Sequence, residues 1–184
     1  MERRKFILGT LAGSIVAGGL FPITSIANRQ QPSIQSLQDN WTNLLSSSAK
    51  ITTDTSKLDK AHSAWKKELP KNSYQVLFEE DTERAFSSPL NDEKRAGVFV
   101  CRACDLPLFS SEMKYDSGTG WPSFFTSIAK HLETKTDYKL IWPRTEYHCV
   151  KCGGHQGHLF DDGPAPTSQR WCNNGVALRF IPHT

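Results

Sequence analysis

The sequence predicts a mostly β domain of short antiparallel strands, preceded by a leader. Three observations carry that prediction. From residue 74 onward, short apolar or alternating runs dominate, separated by the turn-forming residues Gly, Pro, Asp and Asn. Two Cys-x-x-Cys pairs lie in the same half of the chain, placed to tie distant β segments together. The 184 residues, 38% hydrophobic and 22% charged, suit one ordinary globular domain with room for an extra segment. The formal net charge is +3, and much of the excess sits in Arg3, Arg4 and Lys5. A near-neutral remainder argues against a nucleic-acid groove, whose footprint is a basic patch.

Residues 1–27 read as an export signal outside the fold. Arg3-Arg4-Lys5 is followed by an apolar stretch from Phe6 to Phe21, then by Ser25 and Ala27 before a cut after Ala27. Gly18-Gly19 and Pro22 interrupt the run, which is short for a membrane anchor, so no stable membrane insertion is expected once the leader is removed. The paired arginines with Lys5, Phe6 and Ile7 resemble a twin-arginine signal, which carries folded proteins to a periplasm or an equivalent lumen. Residues 28–57, dense in Ser, Thr, Gln and Asn, read as a polar linker or loosely attached arm, with a short helix allowed around Ile34–Leu45.

The folded domain is expected over residues 58–184. Lys60–Leu69 opens it as a short helix stopped by Pro70. Strands are expected at Tyr74–Phe78, Gly97–Cys101, His131–Asp137, Tyr138–Trp142, Thr145–Val150, His158–Phe160 and Val176–Ile181.

Cys101-Arg102-Ala103-Cys104 and Cys149-Val150-Lys151-Cys152 can each turn two thiolates toward one point. Together they complete a tetrahedral Zn²⁺ site, closed to substrate and therefore structural. Asp105 after the first pair and Gly153-Gly154 after the second fit the tight turns such knuckles need. In an exported protein paired cysteines also form disulfides or redox dithiols. A disulfide reading must explain two short-spaced pairs, and it leaves Cys172 over, because five cysteines cannot all pair.

A lone cysteine is commonly a small buried apolar residue. The neighbours of Cys172 argue for more. Arg170, two before it, favours a thiolate, and Asn174, two after it, projects to the same side of an extended strand. Upstream, His155-Gln156-Gly157-His158 supplies two imidazoles, which could also be structural. A thiolate with imidazole and amide groups nearby is a nucleophilic site. The segment Gly118-Thr119-Gly120-Trp121-Pro122-Ser123-Phe124-Phe125 is a glycine-rich turn whose rings either fill the core or wall an apolar pocket. Trp121 and Phe124 are its substrate-binding candidates.

The stretch from Gly97 to Phe180 resembles the methionine sulfoxide reductase B family. The matching blocks are Pro107-Leu108-Phe109, Ser117 to Phe124, Arg144-Thr145-Glu146, Cys149 to Cys152 and His155 to Thr167, with a weaker match back through Thr82-Glu83-Arg84 to Trp65. The resemblance implies two antiparallel sheets of the β-tent type with zinc away from the active site. It implies reduction of the R epimer of methionine sulfoxide, free or in peptides. Cys172 would attack the sulfoxide sulfur, while His155, His158 and Asn174 would orient and help protonate its oxygen. Trp121 would receive the ε-methyl, and Arg170 would support the thiolate. Attack leaves a sulfenic acid that a thiol must reduce.

Many relatives place a resolving cysteine where this chain has Thr119. With four cysteines committed to zinc, the sequence predicts a one-cysteine cycle recycled by a thioredoxin-like, glutaredoxin-like or small-thiol reductant. Gln156 and Trp171 also depart from the pattern and are expected to alter pocket polarity and width. The rival readings are a non-catalytic zinc-bound β module that binds a peptide or small ligand, and a thiol peroxidase.

Overall fold

The protein is described from a computed structural model covering residues 32–139 and 142–183. The leader expected over residues 1–27 lies outside the described residues. Among those described, no helix is long and apolar enough to cross a membrane.

Strand β1 (Gly97–Cys101) pairs on one side with β2 (Pro107–Ser110) and on the other with β9 (Leu178–Pro182), making an antiparallel sheet of order β2-β1-β9. All five residues of β1 are buried, as its unbroken Gly-Val-Phe-Val-Cys run requires. The second antiparallel sheet comprises β3 (Lys114–Tyr115), β4 (Ser123–Phe124), β5 (Leu132–Asp137), β6 (Arg144–Cys149), β7 (His155–Phe160) and β8 (Arg170–Asn173), in the order β3-β4-β8-β7-β6-β5. The expected mostly β fold of two antiparallel sheets with a few short helices is therefore what forms.

Aromatic side chains from both sheets make the core between them. Phe109 of β2 stacks on Phe124 of β4 at 4.0 Å between centroids, and Phe99 of β1 meets Phe124 edge-on at 5.1 Å. Trp171 of β8 packs edge-on against Tyr147 of β6 at 4.9 Å and reaches Phe109 at 6.4 Å. Such pairs fix relative sheet position more strictly than aliphatic contacts do, because ring quadrupoles favour particular angles.

Among the described residues, three α-helices precede the sheets. Helix α1 (Ile34–Asp39) is capped by the Ser33 hydroxyl, which accepts from the Ser36 N–H. Helix α2 (His62–Glu68) matches the expected helix and ends at Leu69, before Pro70. The Tyr74–Phe78 run, expected as a strand, lies in helix α3 (Lys71–Glu79). Tyr74, Val76 and Phe78 alternate as a strand would. Tyr74, Leu77 and Phe78 also share a helical face, and burial of Tyr74 and Leu77 with Pro70 at the helix start selects the helix. The Tyr138–Trp142 run, also expected as a strand, differs too. Its described residues lie past the last pair of β5 and β6, Asp137 opposite Arg144, and Tyr138 and Trp142 are exposed.

Residues 32–57, expected as a linker or loose arm, lie against the sheets. Leu37 and Trp41, four apart, are buried in the core, and Trp41 meets His131 edge-on at 6.0 Å. Gln38 Nε2 donates to Thr126 Oγ1, Thr52 N–H to the Asp105 carbonyl, and Lys151 pairs with Asp54. Two well-spaced apolar anchors dock a segment whose average composition is polar. Trp41→Ala should therefore cost about 3 kcal/mol in urea unfolding. A change below about 0.5 kcal/mol, the size expected of an exposed position, would mean that the segment is not docked.

Candidate active site and metal centre

Each cysteine pair sits in the turn of a hairpin. Cys101 ends β1 and Cys104 leads toward β2; Cys149 ends β6 and Cys152 leads toward β7. Both turns close in the same way: Asp105 N–H donates to the Cys101 carbonyl at 3.0 Å, and Gly153 N–H to the Cys149 carbonyl at 2.9 Å. Both closing residues are left-handed, with φ of 58° at Asp105 and 72° at Gly153, the latter relieved by glycine. One turn belongs to each sheet, and the aromatic core brings them together. All four sulfurs lie within 4.8 Å of one another. The Cys101–Cys152 and Cys104–Cys149 sulfurs are 3.5 and 3.6 Å apart, close to the roughly 3.8 Å separation that tetrahedral bonds of about 2.3 Å to one ion would impose. Gln156 Nε2–H points at the Cys101 sulfur at 3.5 Å, as a donor to a metal-bound thiolate would. These residues can hold a metal ion.

Cys172 lies elsewhere on the six-stranded sheet. Directly paired residues of antiparallel strands share a face, and the register produces one continuous row. Lys135 faces Glu146, Glu146 faces His158, His158 faces Cys172, Cys172 faces Ser123, and Ser123 faces Tyr115. Gly157 lets β7 and β8 close here: a Cβ at that position would collide with the Cys172 carbonyl. His155 and His158, three apart, would point to opposite faces of a regular strand. A bulge places the extra residue Gln156 between the pairs His148–His155 and Tyr147–Gly157. The two imidazoles thereby come within 5.4 Å of each other.

Two carboxylates hold these rings. Asp137 Oδ2 accepts from His158 Nε2–H at 2.8 Å and also pairs with Arg144 at 2.6 Å. The Lys139 backbone N–H, His158 and Arg144 hold its carboxyl well below the usual range, so it is ionised and fixes the His158 tautomer. Buried Glu146 accepts from His155 Nδ1–H at 2.8 Å and pairs with Lys135 at 3.2 Å. Burial lowers the His155 pKa against the pull of Glu146, leaving that imidazole neutral at neutral pH.

A cleft of about 120 Å³ opens over Cys172, lined by Trp121, Arg144, His158, Phe160 and Asn174. It is far smaller than the ~300–1,000 Å³ of cofactor-sized sites and suits the tip of one side chain. A larger, open depression of about 660 Å³, bordered by Arg95, Arg102 and Arg179, contains none of the predicted site residues. Glu83 frames the cleft. Its carbonyl accepts from the Trp121 indole N–H, its backbone N–H donates to Asn174 Oδ1, and its carboxylate accepts from the N–H groups of Gly175 and Val176. Asn174 Nδ2 donates to the Gln156 carbonyl, so much of this amide is committed to holding the backbone. Arg170 is clamped to Asp162 by two bonds of 2.8 and 2.9 Å and lies over the Phe160 ring at 4.2 Å. Arg170 and the Thr119 hydroxyl pull the Cys172 thiol pKa down, as the sequence suggested for the arginine. Burial outweighs them and leaves the thiol above its ordinary value.

The structure gathers Cys172, His158, Asn174 and Trp121 at the cleft, with His155 behind His158 and Arg170 beside the sulfur. It does not bring Phe124 there. Paired with Trp171, one position off the functional row, Phe124 takes the opposite face and is fully buried against Phe109. Phe160 occupies the wall instead. Gln156 and Trp171, expected to alter the pocket, also point away from it. Gln156 reaches Cys101 and Asn173, and Trp171 packs on Tyr147. Sequence reasoning passed over Asp137, Glu146, Asp162 and Glu83 as partners. Glu83, Glu146 and Asp162 lay inside the matching blocks, which marked them without naming their partners, and Asp137 lay outside them.

Comparison with known proteins bears on the whole domain. Residues 69–182, from the end of α2 to the end of β9, match the SelR domain family. A peptide methionine sulfoxide reductase MsrB of Hahella chejuensis is 47% identical over 125 residues, 67% of this chain and 90% of that protein. Its namesake from Pseudomonas putida is 47% identical over 129 residues, 68% of this chain and 96% of that protein. Peptide methionine sulfoxide reductase B1, chloroplastic, of Arabidopsis thaliana is 46% identical over 117 residues, 63% of this chain, which spans only 58% of that protein. With its domain matched from helix to last strand, and bacterial relatives matched over nearly their whole length, the chain belongs to the SelR domain family.

Proposed function

We propose that this protein reduces the R epimer of methionine sulfoxide, free or in peptides, with Cys172 as the nucleophile. The row that sets the Cys172 sulfur beside His158 at the floor of a side-chain-sized cleft carries this reading. The family match and the names of the relatives support the reaction, and the resemblance supports the epimer. Trp121 offers an apolar wall for the substrate methyl group, held in place by its indole bond to Glu83.

A sulfoxide oxygen leaves only when protonated. Because burial keeps Cys172 a thiol, its proton is available at the moment of attack and passes toward that oxygen, with His158 positioned by Asp137 to relay it. The electron pair of the Cys172 sulfur reduces the substrate sulfur. Methionine departs, and the oxygen ends on Cys172 as a sulfenic acid. Two equivalents of an external thiol then restore Cys172, releasing a disulfide and water. Thr119 stands where a resolving cysteine would be, and the other four cysteines are gathered at the metal centre. A thioredoxin-like, glutaredoxin-like or small-thiol reductant would therefore complete the cycle. The metal is proposed to be zinc, bound by Cys101, Cys104, Cys149 and Cys152. With all four positions filled by sulfur, it would pin the two hairpin turns together and take no part in the reaction. The leader is proposed to direct the protein to a periplasm or an equivalent lumen by the twin-arginine route.

Incubation with the R and S epimers and dithiothreitol should consume only the R form, and Cys172→Ser should abolish turnover. Turnover that survives the substitution refutes the mechanism, and no turnover by the unsubstituted protein favours a binding module. Thr119→Cys should let the introduced thiol form a disulfide with Cys172 during turnover, visible as a loss of free thiols by mass spectrometry. Stripping the metal with a strong chelator should abolish cooperative thermal unfolding, since a four-sulfur site contributes folding energy outright. An unchanged melting curve would remove the structural role.

A further inference from the structure

The bulge that brings His155 and His158 to one face leaves Gln156 unpaired across the ladder with β6. Its side chain is held elsewhere, in a polar network whose members Gln156, Asn173 and Tyr147 are all fully buried. Gln156 Nε2–H donates to the Cys101 sulfur at 3.5 Å, and Gln156 Oε1 accepts from Asn173 Nδ2–H at 3.4 Å. The other Asn173 Nδ2 hydrogen goes to the Asn174 carbonyl at 2.8 Å, and the Tyr147 hydroxyl donates to Asn173 Oδ1 at 2.9 Å. The Gln156 carbonyl accepts from the Asn174 N–H at 2.8 Å and from Asn174 Nδ2–H at 3.1 Å. We propose that Gln156 is a positioning residue: tied to Cys101 and Asn173, it pins the bulge and so sets Asn174 and the two imidazoles around Cys172. The proposal rests on the readings of Cys172 as the nucleophile and of the four cysteines as metal ligands.

Hydrogen counting gives the network a single polarity. A metal-bound sulfur carries no proton and can only accept, so Gln156 must turn its amide nitrogen to Cys101 and its oxygen to Asn173. Asn173 then uses both amide hydrogens, one on Gln156 and one on the Asn174 carbonyl, and its oxygen takes the Tyr147 proton. Turning over either amide would set donor against donor or acceptor against acceptor. With no exposed surface to relieve such a mismatch, both amides are locked. An apolar side chain at position 156 could fill the same space. It would leave the Cys101 sulfur without its donor and one Asn173 hydrogen without an acceptor. The bulge would then lose its anchor. Relaxation toward regular pairing turns His155 and His158 to opposite faces, because residues three apart on a regular strand do not share one. It also moves the Gln156 carbonyl, which holds both the backbone and the side chain of Asn174.

The test loads the full chain with Co²⁺, whose sulfur-to-metal charge-transfer absorption reports the electron density on the ligating sulfurs. Gln156→Leu should move that absorption to longer wavelength, since a thiolate that loses a hydrogen-bond donor gives up its electrons more easily. Tyr147→Phe removes only the hydroxyl at the far end of the network and should move the absorption in the same direction by less. With zinc bound instead, Gln156→Leu should pass the metal to a chelator about tenfold faster. Toward the R epimer the same variant should lose about tenfold in kcat with KM unchanged, because the groups it displaces act on the departing oxygen while Trp121 stays in place. An unmoved absorption in Gln156→Leu overturns the proposal, and so does a moved absorption with kcat unchanged. An unmoved absorption in Tyr147→Phe overturns the network, and that variant keeps the test decisive should Gln156→Leu fail to fold. The absorption is read without sulfoxide, so its failure is distinct from failure of the reductase reading, which would show as no turnover by the unsubstituted protein. Absence of the absorption from the unsubstituted protein would overturn the metal reading and the proposal together.

Discussion

The close pairing of β7 and β8 at Gly157 is the constraint on which the rest of the site depends. Any side chain there would strike the Cys172 carbonyl, and the two strands would part. With glycine, His158 and Cys172 face each other across one rung, and neighbouring rungs add Glu146 on one side and Ser123 on the other. A sheet transmits position by its hydrogen-bond ladder, so a row is more rigid than the same groups on loops would be. The bulge at Gln156 then brings His155 to the same face without lengthening the strand.

The four-cysteine cluster, which could hold a metal ion, lies apart from this row. It sits where a hairpin turn from each sheet meets, and Gln156 runs from it toward the reactive strand. The side chain of Gln156 reaches Cys101 and Asn173, and its carbonyl accepts from both the backbone and the side chain of Asn174. One residue therefore touches both centres. Its polarity, which looked like a change in the pocket, belongs to the link between the four-cysteine cluster and the strand of Cys172.

Local chemistry in the sequence made much of this legible. Two Cys-x-x-Cys turns, one cysteine left over, and an arginine and an asparagine flanking it at strand spacing pointed to the two centres. Strand parity was the weak point. Phe124 and Ser123 differ by one position, and only the register with β8 decides which of them faces the cleft. Tyr74–Phe78 fits both periodicities, and burial together with Pro70 at the helix start separates them. Glu146 and Glu83 lay inside the matching blocks, but neither their partners nor those of Asp137 could be read among the 19 acidic residues, because each finds its partner through tertiary pairing rather than spacing. The docked segment around Trp41 was obscured by its polar surroundings, since composition averages over the two anchors that matter.

The account turns on Cys172 taking the oxygen alone. A single-turnover experiment reads this directly: mix the metal-loaded protein with an equimolar amount of the R epimer and no reductant, and determine the mass of the Cys172 peptide. The account predicts one added oxygen on that peptide, trappable by a sulfenic-acid reagent, with methionine released in equal amount. An intramolecular disulfide from Cys172 to one of the other four cysteines, or methionine formed with Cys172 unchanged, would contradict it.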